Sequence, residues 1–207
     1  MIIVSEDQRT PEWHAARLGK VTASRVADVV ARTKSGYGAS RENYMAQLIC
    51  ERLTQKPTEG FSNAAMAWGT EQEPAARNAY AARIGELVEE VGFIDHPTIA
   101  MTGASPDGIV GEGLVEIKSP NTSTMLEYIL DGKPPQKYVY QMQWQMACTC
   151  KDWCDFVSYD PRLPEHLQML VVRVMRDDQQ ILVLESEVKA FLAELDDKVK
   201  QLKKVKL

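Results

Sequence analysis

The chain has 207 residues, 44% of them apolar and 26% charged, with a formal net charge of −5 at pH 7. These are ordinary figures for a globular protein, and the length suits one domain with a substantial core. No apolar run approaches a membrane span, and Met1–Asp7 has neither the basic region nor the apolar core of a signal segment, so a cytoplasmic protein with reduced cysteines is expected.

Thr10-Pro11 starts a short helix that carries Trp13 and Arg17 and stops near Gly19, with Thr10 as cap and Pro11 in the first turn. Thr22 caps a second helix through about Ala31, residues 33–39 form a loop, and Ser40 opens a helix to about Leu53. Asn63 to Arg83 reads as a long helix interrupted only by Gly69 and Pro74. Strands follow near 91–95, 99–104, 107–110 and 114–118. Thr122 to Leu130 is helical, Gly132-Lys133-Pro134-Pro135 is a break, and 136–150 is helical again. Strands near 154–159 and 168–175 flank the Asp160-Pro161 turn, and an amphipathic helix runs from about Ser186 to Lys204. Helices around a central group of strands predict one α/β domain of α+β type, built on a mixed β-sheet.

Residues 105–118 contain the most informative pattern. Gly111-Glu112 reads as a two-residue hairpin turn with glycine first, so Val110 faces Gly113 and Asp107 falls opposite Glu116. Alternation then puts Glu116 and Lys118 on one face and Val115 and Ile117 on the other. Two opposed carboxylates repel unless a cation lies between them, and oxygen ligands suit magnesium. The outline is that of a hydrolase site. Ser105-Pro106 and Gly108 constrain the backbone around Asp107, and Glu73 on the preceding helix offers a further acid. By itself Glu73 reads as a solvent-facing helix residue, and Glu-x-Lys on a strand is often an exposed salt-bridging face.

Charge is unevenly spread. Residues 1–56 carry nine Lys+Arg against six Asp+Glu, residues 198–207 carry five lysines and no acid, and residues 57–197 carry 10 basic and 23 acidic side chains. An acidic centre with basic ends fits a metal-dependent enzyme that grips phosphate at its rim. The C-terminal lysines alone read as a solvated helix end.

Pro106-Asp107 with Glu116-Ile117-Lys118 resembles the signature of the PD-(D/E)XK nuclease superfamily. More closely, the chain resembles the bacteriophage lambda exonuclease (YqaJ-like viral recombinase) family. The segments that carry this are Trp13-His14-Ala15-Ala16-Arg17-Leu18-Gly19, Thr22-Ala23-Ser24, Trp68-Gly69 with Glu73, Ala104 to Gly108, Glu116 to Lys118, Tyr138-x-x-Gln141-x-Gln143 and Tyr159 to Arg162, in the family's order over about three-quarters of the chain. The resemblance implies a 5′→3′ exonuclease on double-stranded DNA that releases mononucleotides, on a PD-(D/E)XK core. Asp107, Glu116 and the main-chain carbonyl of Ile117 would bind magnesium, for which manganese could substitute, and Glu73 would complete a second metal position. Lys118 would hold or deprotonate the attacking water with its pKa lowered by the metals, and Gln143 would orient Lys118. Arg17, Ser24 and Ser105 would hold the 5′-terminal phosphate, so that residues 1–55 or so supply the DNA-end pocket. Trp13 reads as a core residue, with a wedge or stacking role against DNA as the alternative; the 31–39 loop could also touch DNA. A ring-shaped homotrimer and a phage single-strand annealing protein as partner follow from the resemblance alone.

Cys148-x-Cys150-x-x-x-Cys154, with Cys50 distant, misses metal-ligand spacing, because residues two apart on a helix point in different directions. Buried free thiols are expected instead. Two rivals to the exonuclease stay open: an endonuclease on the same core, and a DNA-binding scaffold whose site has lost activity.

Overall fold

The computed structural model describes residues 8–34, 36–58 and 64–206. The expected helix start at Asn63 and the N-terminal Met1–Asp7 lie outside the described residues. Helix α1 spans Pro11–Arg17, and its Thr10 cap accepts from the Trp13 amide at 3.2 Å. The chain then reverses at Gly19, whose φ of +68° favours glycine. Glu51 accepts the Gly19 amide at 2.9 Å, and Arg52 donates to its carbonyl at 2.8 Å.

The continuous helix expected over 22–31 is instead strand β1 (Val21–Thr22), one 3-10 turn and a short helix α2 (Val26–Val29). The β-branched pair Val21-Thr22 gains a parallel partner in β5, which local helix propensity does not foresee. The expected 33–39 loop contains a small hairpin, β2 (Arg32–Thr33) against β3 (Gly36–Tyr37). Helices α3 (Ala39–Thr54) and α4 (Ala64–Ile84) follow, and α4 runs through Pro74.

The strands form more than one sheet. β4 (Ile94–Asp95), β5 (Thr102–Ala104) and β1 make a small sheet of order β1-β5-β4. β6 (Gly108–Val110), β7 (Gly113–Lys118), β8 (Trp153–Tyr159) and β9 (Met169–Met175) make the mixed one, in that order, with β7 and β8 parallel. Ser105-Pro106 separates the two, since proline has no amide to continue a ladder. Between the last strands lie α5 (Thr122–Asp131) and α6 (Gln136–Thr149), and α7 (Asp178–Lys203) closes the chain. Helix α7 begins well before Ser186 because Asp177 caps it, accepting from the Gln179 and Gln180 amides at 3.0 Å each.

The β6–β9 sheet lies between α4 and α6. Val115 and Ile117 pack with Ala76 and Tyr80 of α4 on one face. Leu114 and Phe156 pack with Met142 and Met146 of α6 on the other. A larger cluster of Tyr44, Leu48, Trp144, Phe191 and Leu195 ties α3 and α7 to the outer side of α6. Each such side chain contributes about 1.5–3 kcal/mol by leaving water. All four thiols are free; Cys148 and Cys154 are buried, and burial holds both well above the ordinary thiol range. Cys50 and Cys150 are exposed, contrary to expectation, the latter because it caps α6 in the left-handed region with φ +56°.

At Gly103 a methyl group would meet backbone. A Cβ on Gly103 would lie 2.4 Å from the Ile94 carbonyl oxygen and 2.5 Å from the Phe93 ring. Backbone cannot step aside as a flexible side chain does. Gly103→Ala is therefore expected to lose about 2–3 kcal/mol in urea unfolding. A loss below about 0.5 kcal/mol would show that β4 and β5 are less rigidly paired than the register implies.

Candidate active site

The register of the β6–β7 hairpin builds the site. Val110 pairs with Gly113, Ile109 with Leu114 and Gly108 with Val115, with Gly111 at φ +50° in the turn. Asp107 stands one position beyond the ladder, and its Oδ2 accepts the Ile117 amide at 2.7 Å. Arg77 of α4 donates to the Asp107 carbonyl oxygen at 3.2 Å. Glu116 is fully buried toward α6, where Gln141 Nε2 donates to Oε1 at 2.6 Å and Gln145 Nε2 to Oε2 at 2.5 Å. Lys118, two residues on and therefore on the same face, pairs with Glu116 Oε1.

Electrostatics follows from this crowding. Burial pushes the Asp107 carboxyl up to about 8, with the Glu116 and Glu73 charges adding and Lys118 opposing. On Lys118 the protein's own charges act against the lowering expected from bound metals. Burial disfavours its ammonium, but Glu116 and Asp107 outweigh burial and hold it above the ordinary lysine range.

Glu73 lines the same cleft, yet its carboxylate is engaged by Arg77 at 2.7 Å and by Arg9. Among the described residues no three His, Cys, Asp or Glu side chains stand together as a metal cage. The donor set nevertheless fits a divalent cation. The Asp107 and Glu116 carboxylates lie close together, the Asp107 pKa being raised first by burial and then by the Glu116 charge, and Ile117 borders the opening.

Gln143 does not orient Lys118. Its amide donates to the Met175 carbonyl at 2.8 Å and its oxygen accepts the Asp177 amide at 2.9 Å, tying α6 to the start of α7. Side chains two apart on a helix point to opposite sides, so once Gln141 and Gln145 face β7, Gln143 faces away. The i, i+4 spacing of Gln141 and Gln145 was the available signal, as was that of Glu73 and Arg77.

The cleft is about 560 Å³ and includes Ser24, Glu73, Asp107, Lys118 and Tyr138 in its walls. A second pocket of about 200 Å³ adjoins it, lined by Arg17, Lys20, Thr22, Ser24 and Arg25 among others. Ser24 belongs to both. Ser105 Oγ accepts from Trp13 Nε1 at 3.0 Å and from Arg17 Nη1 at 3.3 Å, and the Arg17 guanidinium lies 3.9 Å over the Trp13 ring. Burial lowers Arg17 to about 10, against the opposing pull of Tyr44 and Glu51. Trp13 is thus half-buried and hydrogen-bonded rather than a fully buried core residue. Lys20 and Arg25 were not anticipated; their approach depends on the turn at Gly19 and the 3-10 turn after β1. Three cations and the hydroxyls of Thr22, Ser24 and Tyr44 line this pocket together with the Glu51 carboxylate, and Lys20 also bonds Asp95 at 2.6 Å and Arg25 bonds Asp28 at 2.5 Å.

The model of the YqaJ-like viral recombinase domain family matches residues 12–152. Among solved structures, the chain is similar to LHK-Exo, an alkaline exonuclease from Laribacter hongkongensis, and to the same protein in complex with dAMP. Identity is 60% in both, with 94% of this chain and 96% of that chain covered and a TM-score of 0.88. A phage-related exonuclease from Haemophilus somnus shares the fold at 14% identity, with 88% and 96% covered and a TM-score of 0.69. A search of curated proteins finds no match.

Proposed function

The chain belongs to the YqaJ-like viral recombinase family, and from that membership we propose that it is a magnesium-dependent 5′→3′ exonuclease. It degrades one strand of double-stranded DNA from 5′-phosphorylated ends to mononucleotides. The observation that carries this reading is Ser24, which lines both the carboxylate cleft and the basic pocket. A terminal phosphate seated by Arg17 then leaves the following phosphodiester beside Asp107 and Lys118. The complex of LHK-Exo with dAMP, a deoxynucleoside monophosphate, supports a mononucleotide product.

Asp107, Glu116 and the Ile117 carbonyl would hold one magnesium ion, with manganese as a substitute, and Glu73 would serve a second ion after parting from Arg9 and Arg77. Such ions supply Lewis-acid neutralisation of the charge that develops in an in-line displacement at phosphorus. Gln141 and Gln145 keep both oxygens of Glu116 in one orientation. Lys118 holds the attacking water and steadies the phosphoryl oxygens with its N–H groups. Attack at phosphorus breaks the P–O3′ bond, so the released nucleotide keeps its 5′-phosphate and the shortened strand gains one. Ser105 bonds Arg17 while its neighbour but one, Asp107, borders the cleft, so one short segment couples end recognition to cleavage.

The reading takes the chain as one nuclease domain whose first 55 or so residues supply the end pocket. A ring-shaped homotrimer around the duplex and a phage single-strand annealing protein that takes up the exposed 3′ strand are the expected assembly and partner. No described helix is long and apolar enough to cross a membrane, in keeping with a nuclease of the bacterial cytoplasm.

Three substrates test this: linear duplex with 5′-phosphate, linear duplex with 5′-hydroxyl, and closed circle, each with and without magnesium. Faster release of mononucleotides from the phosphorylated than from the hydroxyl linear duplex, none from the closed circle and none without magnesium, is expected. Cut circles would point to the endonuclease, and no release from any substrate would point to the scaffold.

The raised Asp107 pKa adds a metal prediction. A carboxyl whose folded pKa stands above its ordinary 3.8 contributes stability at low pH that is lost as pH rises through about 8. Magnesium needs the ionised form, so its stabilisation should grow over the same range. At ten times its Kd it would add about 1.4 kcal/mol, or about 3–6 °C in Tm. The expected magnesium shift is larger at about pH 8.5 than at about pH 6.5, with proton release measurable by calorimetry near neutrality. An equal shift at both pH values would exclude Asp107 as a ligand.

A further inference from the structure

The proposed chemistry leaves one cation in the cleft unused. Lys137, in the first turn of α6, has its Nζ 4.7 Å from the centre of the Tyr138 ring, and Lys118 Nζ lies 5.3 Å from the same ring. Both lysines line the cleft that contains Asp107. Lys118 is neutralised by Glu116, whereas Lys137 makes no ion pair among the described residues. Two ammonium groups against one ring repel each other, and the Glu116 and Asp107 carboxylates that act on Lys118 leave Lys137 without an ion pair among the described residues. The first-turn amides of α6 add positive potential here, since Pro135 offers no side-chain cap.

A buried donor borders the same space. Ser119 follows Lys118, is 7% exposed and lines the cleft, and its Oγ has no hydrogen-bond partner among the described residues. A buried hydroxyl left unpaired is costly unless a ligand completes it. A cation without an acid and a hydroxyl without a partner together describe the receiver of a phosphate oxygen.

We infer that Lys137 and Ser119 form a subsite for the phosphodiester on the 3′ side of the scissile one, in the strand being degraded. The inference rests on the exonuclease reading above. In that reading the terminal phosphate occupies the Arg17 pocket, and the scissile phosphate lies between Asp107 and Lys118. A third set of donors in a continuous groove then meets the next phosphate along the strand. That grip retains the strand while the first nucleotide leaves, and after a one-nucleotide advance the held phosphodiester becomes the scissile one.

The test is single-turnover release of the first nucleotide from a 5′-phosphorylated duplex, compared with the same duplex carrying one uncharged methylphosphonate at the second internucleotide linkage. Wild-type protein should lose about tenfold in kcat/KM on the neutral linkage. Lys137→Ala should lose about tenfold on native DNA and nothing further on the neutral linkage, with a smaller loss of the same pattern for Ser119→Ala. Lys137→Gln, which keeps the stem, should behave as Lys137→Ala does. Undiminished discrimination in the Lys137 variants, or native DNA cleaved at the wild-type rate, overturns the subsite alone. No magnesium-dependent release by wild-type protein from either duplex overturns the exonuclease reading and the subsite with it.

Discussion

Lys118→Ala and Asp107→Asn are each expected to lower magnesium-dependent nucleotide release by about 10³-fold, and to move stability in opposite directions. The two side chains hold opposite charges around one buried carboxylate. Removing the Lys118 ammonium leaves Glu116 fully buried with only the two glutamine amides, so the protein should become less stable. Removing the Asp107 charge takes away a partner that Glu116 repels, while an asparagine oxygen can still accept the Ile117 amide. Asp107→Asn should therefore be at least as stable as the native chain in chelator at about pH 8.5, and should lose most of the magnesium-dependent rise in Tm. Thermal unfolding with and without magnesium, run beside the nuclease assay, separates a chemical defect from a folding defect. If both variants lose stability alike, the charge arrangement at the hairpin is not the one described. If either retains more than about a tenth of native activity, that residue has no part in the chemistry.

Arg17→Ala is expected to cost about 10–100-fold on 5′-phosphorylated ends, the range of charge-assisted hydrogen bonds, and little on 5′-hydroxyl ends. Arg17 is bound to Ser105 and stacked on Trp13, which sets the guanidinium plane before any DNA arrives. A preset fork loses less freedom on meeting a phosphate than a mobile side chain does. Arg17→Lys keeps the charge without the fork, and its activity should fall between alanine and native. Burial already disfavours the charge on Arg17, and Ser105 still accepts from Trp13 Nε1 without it, so the fold should tolerate its loss. Equal loss on both kinds of end would mean that Arg17 supports the fold rather than the end. The ratio of the two substrates is the deciding quantity.

Much of the site could be read along the chain because its determinants are local. The Gly111-Glu112 turn sets the pairing of Val110 with Gly113, and strand alternation then carries Asp107, Glu116 and Lys118 to one place within twelve residues of sequence. The α+β class, most helices and the Thr10 cap followed from equally short-range rules. Strand β1 did not, because two residues acquire strand character only when β5 lies beside them. Nor did the division into separate sheets, which follows from where Pro106 interrupts the ladder.

Sequence by itself determined which residues carry the charges and which of them share a strand face. Tertiary structure alone decided what meets them. Helix α6 was predicted, but its rotation about its axis was not, and that rotation sends Gln141 and Gln145 to Glu116 and Gln143 to the root of α7. Likewise Arg17 from α1, Ser24 from the 3-10 turn and Ser105 from beyond β5 gather from separate elements around a reversal at Gly19. A turn or a strand is fixed by forces acting over a few residues. The facing of one element against another is fixed by packing summed over the whole core, here Tyr44, Trp144 and Phe191 on one side of α6 and Met142, Met146 and Phe156 on the other.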